Sequence, residues 1–273
     1  MRKLLATGIA AGAFIAVAAI APATAAEGDA QLSVLHGIPG LTVDVYVNGE
    51  LTLDDFTPGT LAGPLELAPG TYSVALTAAD AADDSAPVLG PIDLTLAAGG
   101  NYTAAAHLTE AGEPSATLFT NDIAKLDAGQ GRLTVRHVAA APAVDVLAGG
   151  SAVITDLSNP NEKVLNLAAG MVSASVAATG TTDPVIGPAD VNVAEGVNTI
   201  VYAWGSLEDD NLALAVQTID GLHSNPGSIP AGSAGLVATN MPAESAGLWM
   251  GAGLVALLAA AVGTMAVRAK ARR

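Results

Sequence analysis

An internal duplication is the feature that most constrains how this chain can fold. The stretch LSVLHGIPGLTVDVYVNGE at 32–50 returns as LTVRHVAAAPAVDVLAGGS at 133–151, with an offset of 101 residues and no gap. Two later blocks of the first copy, LELAPGTYSVAL and PVLGPIDLTLAAGGN, also recur in the same order. A repeat of this length is a whole domain, because solenoid units recur every ~20–50 residues. The sequence therefore predicts two similar domains in tandem.

Within each copy the local pattern is that of β-strands. Valines alternate with Asp44 and Tyr46 over 43–47, and Asn48-Gly49 follows, a pair suited to a two-residue hairpin because both positions tolerate positive φ. Gly and Pro punctuate the remaining apolar runs. The strands predicted for the first copy are 31–36, 43–47, 51–56, 64–67, 71–77, 92–96, 102–108 and 116–120.

This density of short strands predicts an all-β fold of two tandem, immunoglobulin-like, antiparallel β-sandwich domains. A small barrel is the alternative. The alternation also predicts that one face of each sheet is solvated. The predicted boundaries are 27–122 for the first sandwich, 123–131 for a linker and 132–220 for the second sandwich.

The two ends of the chain have the patterns of a signal peptide and of a membrane helix. Residues 1–26 combine Arg2 and Lys3, an apolar run and the small-residue site Ala23-Thr24-Ala25, which is the pattern of a secretory signal peptide. An uncleaved N-terminal anchor is the alternative. Uncharged residues 248–267 are long enough to cross a bilayer as a helix, and the basic tail 268–273 predicts a cytoplasmic C-terminus. The Gly, Ser and Pro of 221–247 predict a stalk.

Charge and cysteine content narrow the possible functions. Between the two ends, 26 acidic residues and only four basic ones leave a formal charge of −22. Such a surface repels phosphate backbones and favours solubility, so no nucleic-acid partner is expected. The chain has no cysteine, so each domain must be held together by core packing without disulfides.

The repeated block HGIPGLTVDVYVNGE and its partner RHVAAAPAVDVLAGG resemble the opening motif of a bacterial extracytoplasmic family, domain of unknown function 4397. LAPGTYSVAL, which begins at Leu67, is similar to the leucine strand and P-A-G-T-Y turn of that family. The second copy departs from the pattern, with Leu147-Ala148 in the hairpin and Met171-Val172 in the turn. The resemblance implies a secreted or surface sandwich module that is often duplicated, and it brings no activity or catalytic residues.

The repeated His36 and His137 are the first candidates for chemistry, since each precedes a carboxylate, Asp44 or Asp145, by eight residues. Such a pair could act in acid-base catalysis or ligate a metal. A residue that the fold itself requires would recur in both copies, however. We therefore expect each histidine to have a structural role, as a hydrogen-bond partner of the backbone at the end of the first strand. The two aspartates are expected to point to solvent or to stabilise an adjacent turn.

Two acidic clusters are the other candidates, and both lack the spaced carboxylates and glycine of a defined calcium loop. They are expected to be solvated loops. Their members are Asp80, Asp83, Asp84 and Glu208, Asp209, Asp210.

Taken together, these features predict a membrane-anchored bacterial cell-surface protein with a structural, adhesive or protein-interaction role. It is not predicted to be an enzyme, and no catalytic, cofactor-binding or metal-binding residue is assigned. Its predicted partners are the membrane, through one C-terminal helix, and cell-envelope proteins or polymers, while its oligomeric state is left open. An extracellular ligand-binding or cation-binding sensor module is the alternative, and a hydrolase a remote one.

Overall fold

The computed structural model describes residues 28–224, which form sixteen β-strands and no helix. Eight strands make up the first half: β1 (Ala30–Gly37), β2 (Val43–Val47), β3 (Glu50–Phe56), β4 (Leu61–Leu67), β5 (Gly70–Ala78), β6 (Leu89–Leu96), β7 (Asn101–Leu108) and β8 (Pro114–Thr120). Eight more make up the second half: β9 (Gln130–Ala140), β10 (Val144–Ala148), β11 (Ser151–Leu157), β12 (Glu162–Ala168), β13 (Gly170–Ala178), β14 (Pro184–Val193), β15 (Asn198–Ser206) and β16 (Ala213–Ile219). All eight strands predicted for the first copy are confirmed.

The hairpin between β2 and β3 shows how local sequence sets these elements. Asn48 and Gly49 have φ of 52° and 81°, and Gly149 and Gly150 in the second copy have 57° and 83°. Positive φ at both central residues gives the turn whose twist matches that of the flanking strands. The predicted hairpin is therefore present in both copies.

The strands form four sheets in two sandwich-like pairs. In the first sandwich the sheet β4-β1-β7-β8 packs on the sheet β3-β2-β5-β6, and in the second sandwich β12-β9-β15-β16 packs on β11-β10-β13-β14. The strand order is the same in both when counted from the start of each copy. We call β4-β1-β7-β8 and β12-β9-β15-β16 the inner sheets and the other two the outer sheets.

Two details correct the predicted immunoglobulin-like antiparallel arrangement. β1 pairs in parallel with β7, and β9 pairs in parallel with β15, while the other ten pairings are antiparallel. The first strand also lies between the fourth and seventh, whereas the immunoglobulin order places it beside the second. Alternation and turn residues locate strands, but strand order depends on contacts between distant parts of the chain.

Each sandwich has its own apolar core between its two sheets. In the second sandwich, for example, Leu133 and Val135 of β9 pack with Val144 and Val146 of β10. In the first, Leu32 of β1 packs with Leu94 and Leu96 of β6. These contacts explain the alternating apolar pattern of the strands.

A further apolar cluster joins the two inner sheets. Leu35, Ala105 and Phe119 come from the first sandwich, and Val138, Ile200, Tyr202 and Ala215 from the second. As a result every residue of β7 is buried, and so are all residues of β9 except Gln130. The predicted solvated face is therefore wrong for the inner sheets, because the sandwiches pack against each other there.

The connection between β8 and β9 is tied to the residues after β16. The Leu126 N–H donates to the Leu222 carbonyl at 2.7 Å, and the Ser224 N–H donates to the Leu126 carbonyl at 3.0 Å. These bonds hold the connecting segment against the second sandwich.

The predicted signal peptide, membrane helix and basic tail lie outside the described residues, and the predicted stalk is described only as far as Ser224. Within 28–224, no helix has the length and apolar character needed to span a bilayer.

Candidate functional site

Both repeated histidines are buried and bonded to backbone, as predicted. His36 Nε2–H donates to the Leu41 carbonyl at 2.7 Å, and His137 Nε2–H donates to the Pro142 carbonyl at 3.0 Å. His137 Nδ1 accepts a weaker bond from the Ala139 N–H at 3.3 Å. Because a carbonyl can only accept, each Nε2 carries a proton, and both rings close the loop that follows the first strand of their sandwich.

Burial sets the charge state of these rings. Loss of hydration lowers the pKa of His36 and of His137, and the bonds to backbone carbonyls oppose this only in part. A third histidine, His107, is also buried, donates from Nδ1 to the Leu108 carbonyl at 2.8 Å, and has its pKa lowered by burial. All three rings are therefore held neutral and serve the fold.

The repeated aspartates stabilise a β-bulge in each outer sheet. Asp44 Oδ1 accepts the Asp55 N–H at 2.9 Å, and Asp145 Oδ1 accepts the Asp156 N–H at 2.9 Å. Asp55 and Asp156 have positive φ of 52° and 55°, which accommodates the extra residue opposite the aspartate. Both carboxylates are buried instead of solvated, and the predicted bond to an adjacent turn is present for Asp145 but not for Asp44 among the described residues.

The two aspartates differ in what binds their second oxygen. Asp145 Oδ2 accepts the Gly180 N–H at 2.9 Å, and this bond is the largest cause that lowers the pKa of Asp145. In the first sandwich Asp80 stands at the position of Gly180, and its N–H makes no such bond to Asp44 among the described residues. The second oxygen of Asp44 is therefore available to another group.

Three carboxylates of the first sandwich converge at this bulge. Oxygens of Asp44, Asp54 and Asp55 all lie within 4.8 Å of one another. The first is buried, and the other two are exposed. In the second sandwich the residues at these positions are Asp145, Thr155 and Asp156, so one of the three carboxylates is replaced there. We call Asp44, Asp54 and Asp55 the bulge carboxylates.

The predicted acidic loops lie in different surroundings. Asp83 and Asp84 lie near the β2–β3 hairpin. Burial is the largest cause that raises the pKa of the Tyr46 phenol, and the negative charges of Asp44, Asp84, Asp83 and Asp54 raise it further. The second loop, 208–210, is a turn after β15 in which the Asp209 N–H donates to Ser206 Oγ at 3.2 Å. The first acidic loop therefore lies beside the β2–β3 hairpin, at the other end of β2 from Asp44, while the second forms part of a turn.

Arg136 lies on β9 between the inner sheets, is 0% exposed and bonds through three of its nitrogens. Its Nε donates to Glu162 Oε2 at 2.7 Å, Nη1 to the Tyr202 hydroxyl at 2.7 Å, and Nη2 to Asn121 Oδ1 at 2.8 Å. Its Cζ also lies 4.2 Å from the centre of the Phe119 ring. One guanidinium thus links the two sandwiches.

Gln217 extends this polar contact across the same interface. Its Oε1 accepts from the Tyr202 hydroxyl at 2.6 Å and from Thr103 Oγ1 at 3.0 Å, and its Nε2 donates to Ser33 Oγ at 3.1 Å. Since Ser33 and Thr103 belong to the first sandwich, Gln217 gives the interface directional bonds in addition to apolar contact.

Sequence reasoning missed both the Arg136 contacts and the bulge carboxylates. Both could have been found by aligning the two copies. Arg136 stands where the first copy has Leu35, and Asp54 stands where the second copy has Thr155. A charged residue at the position of a buried leucine indicates a paired cation at an interface.

Two cavities among the described residues are small for a ligand site. Two apolar cavities of about 30 and 50 Å³ lie in the second sandwich, one beside Leu133 and Val201 and the other beside His137 and Ala203. Ligand pockets are usually about 300 Å³ or larger. Both are smaller than that, so neither is assigned as a ligand site.

Residues 30–147 match the family described as Domain of unknown function (DUF4397). The match contains all of β1 to β9 and continues into β10 as far as Leu147, so it covers the first sandwich and the start of the second. No curated protein matches the chain.

Replacing Arg136 with leucine, the residue of the first copy, should destabilise the protein. The change removes a partner from Glu162, the Tyr202 hydroxyl and Asn121, and leaving a buried polar group without its partner costs about 1–3 kcal/mol. Chemical denaturation would measure the loss, with Lys163→Leu as control, since it removes the same charge from an exposed site of the neighbouring strand β12. An equal loss in both variants would show that Arg136 acts only through net charge.

The free energy of unfolding should fall between pH 7.5 and pH 5.5. Buried histidines with lowered pKa take up protons more readily when unfolded, so their stabilisation is complete above the unfolded pKa of about 6.5 and decreases as the pH falls below it. Each linked proton contributes a slope of up to about 1.4 kcal/mol per pH unit. Urea denaturation at both pH values would measure the fall, which should be smaller in His137→Gln. An equal fall in the wild type and in the variant would show that the buried His137 does not cause the pH dependence.

Proposed function

We propose that this protein is a membrane-anchored bacterial cell-surface protein with a structural, adhesive or protein-interaction role. The observation that carries the proposal is the joining of two sandwiches through their inner sheets into one body. A body of this kind presents its outer sheets and loops at a fixed spacing. Such presentation suits contact with other envelope components.

The ends of the chain support the placement. The leader pattern of 1–26 directs export, and the uncharged segment 248–267 followed by the basic tail 268–273 is the pattern of a single helix with its C-terminus in the cytoplasm. The second sandwich is proposed to belong to the same family as the first, because its blocks recur in the same order.

The outer sheets offer surfaces for interaction with proteins or envelope polymers. Leu51 on β3 and Val153 on β11 are each 49% exposed, and these strands form equivalent edges of the two outer sheets. An edge strand has unpaired backbone groups that can bind an extended partner. The formal charge of −22 over residues 27–247 opposes binding to nucleic acid and anionic lipid.

Cysteine labelling on intact cells tests the placement directly, because the natural chain has no cysteine. In the full-length protein, Ser85→Cys lies at an exposed loop position and should react with a membrane-impermeant maleimide. Ala269→Cys in the tail should react only after the cells are permeabilised. Labelling of the tail in intact cells would contradict the orientation.

An activity screen tests the non-enzymatic role. The full-length protein should show no turnover in a broad hydrolase screen. Turnover that disappears in a folded double variant, His36→Gln with His137→Gln, would replace the proposed role with a hydrolase. Thermal unfolding of the double variant provides the control for folding.

A further inference from the structure

We infer that the first sandwich binds a divalent cation of the calcium type at the bulge carboxylates Asp44, Asp54 and Asp55, with Thr77 as a fourth oxygen ligand. The three carboxylates have oxygens within 4.8 Å of one another. Oxygens that share one Ca²⁺ at about 2.3–2.6 Å lie no more than about 5 Å apart, so this spacing matches a common ion.

Thr77 provides evidence that is independent of the acidic cluster. It is 0% exposed, and its Oγ1 has no hydrogen-bond partner. Thr77 is the cross-strand partner of Asp44, so the two side chains lie side by side on the same face of the outer sheet. A buried hydroxyl without a partner costs about 1–3 kcal/mol, and coordination to an ion at the neighbouring carboxylate would satisfy it.

The second sandwich has the same bulge with fewer oxygen ligands. There Thr155 replaces Asp54 and Ala177 replaces Thr77, so a carboxylate and the hydroxyl are both lost. In addition the Gly180 N–H occupies the second oxygen of Asp145. The first sandwich therefore has the Asp54 carboxylate, the Thr77 hydroxyl and an Asp44 oxygen without a backbone partner. The second sandwich has none of the three equivalents.

Charge balance also favours a cation in the first sandwich. From Ala30 to Thr120 the chain contains eleven acidic residues and neither lysine nor arginine. Asp84 adds to the negative charge of this sandwich beside the β2–β3 hairpin, since a side-chain carbon added at Gly49 would lie 3.7 Å from Asp84 Oδ2. Carboxylates gathered without a basic residue repel one another, and a divalent ion from solution would relieve that repulsion.

The exposed Asp54 and Asp55 leave room for water in the remaining coordination positions, so we expect the affinity of an extracellular calcium module, about 0.1–1 mM. Titration of the full-length protein with Ca²⁺ in 150 mM NaCl should give a saturable rise in the midpoint of thermal unfolding. The rise should be about 3 °C at ten times the dissociation constant. Luminescence of bound Tb³⁺, excited through the adjacent Tyr46, gives a second readout of the site.

Variants that copy the second sandwich make the test specific. Asp54→Thr and Thr77→Ala introduce the residues that this fold already carries at the equivalent positions, and each should weaken Ca²⁺ binding at least tenfold. Asp93→Asn removes one charge from an exposed site of β6 and should leave binding unchanged. Mg²⁺ at equal concentration should bind at least tenfold more weakly.

Several outcomes would overturn the inference. These are the absence of saturable binding up to 10 mM Ca²⁺, retention of binding in Asp54→Thr or Thr77→Ala, an equal loss in Asp93→Asn, or an equal response to Mg²⁺. Each would reduce the acidic cluster to a solvated surface, and none would alter the proposed role at the cell surface.

Discussion

Packing of the two inner sheets against each other is the interaction on which the rest of the structure depends. Leu35 and Phe119 from one side meet Val138, Ile200 and Tyr202 from the other, and the Arg136 guanidinium bonds across the contact. Without it, both faces of β7 and β9 could not be buried. The contact also explains how a chain with no cysteine forms a single body from two sandwiches.

The two copies share the residues that stabilise the backbone of each sandwich, and they differ at the contact between the sandwiches and at the outer bulge. The buried histidines, the hairpin glycines and the bulge aspartates recur because each satisfies a backbone requirement of the sandwich. Positions on the contact between sandwiches diverged, as Leu35 and Arg136 illustrate. The outer bulge diverged as well, since Asp54 and Thr77 of the first copy correspond to Thr155 and Ala177 of the second.

Local patterns were sufficient to predict the strands, the hairpin and the role of the repeated His36 and His137. They were insufficient for the parallel pairing of β1 with β7 and for the burial of the inner sheets, because both depend on residues far apart in the chain. The link between Arg136 and Asn121 has the same origin. For the bulge carboxylates, Asp54 and Asp55 are adjacent in sequence, but only the sheet register brings Asp44 and Thr77 beside them.

Native-state hydrogen exchange in increasing urea tests most directly whether the two sandwiches form one cooperative body. The backbone amides of β7 in the first sandwich and β15 in the second should exchange through the same global opening and give equal free energies. If the amides of one strand exchange through a separate opening of lower free energy while those of the other stay protected, the sandwiches fold independently, which contradicts a single cooperative body.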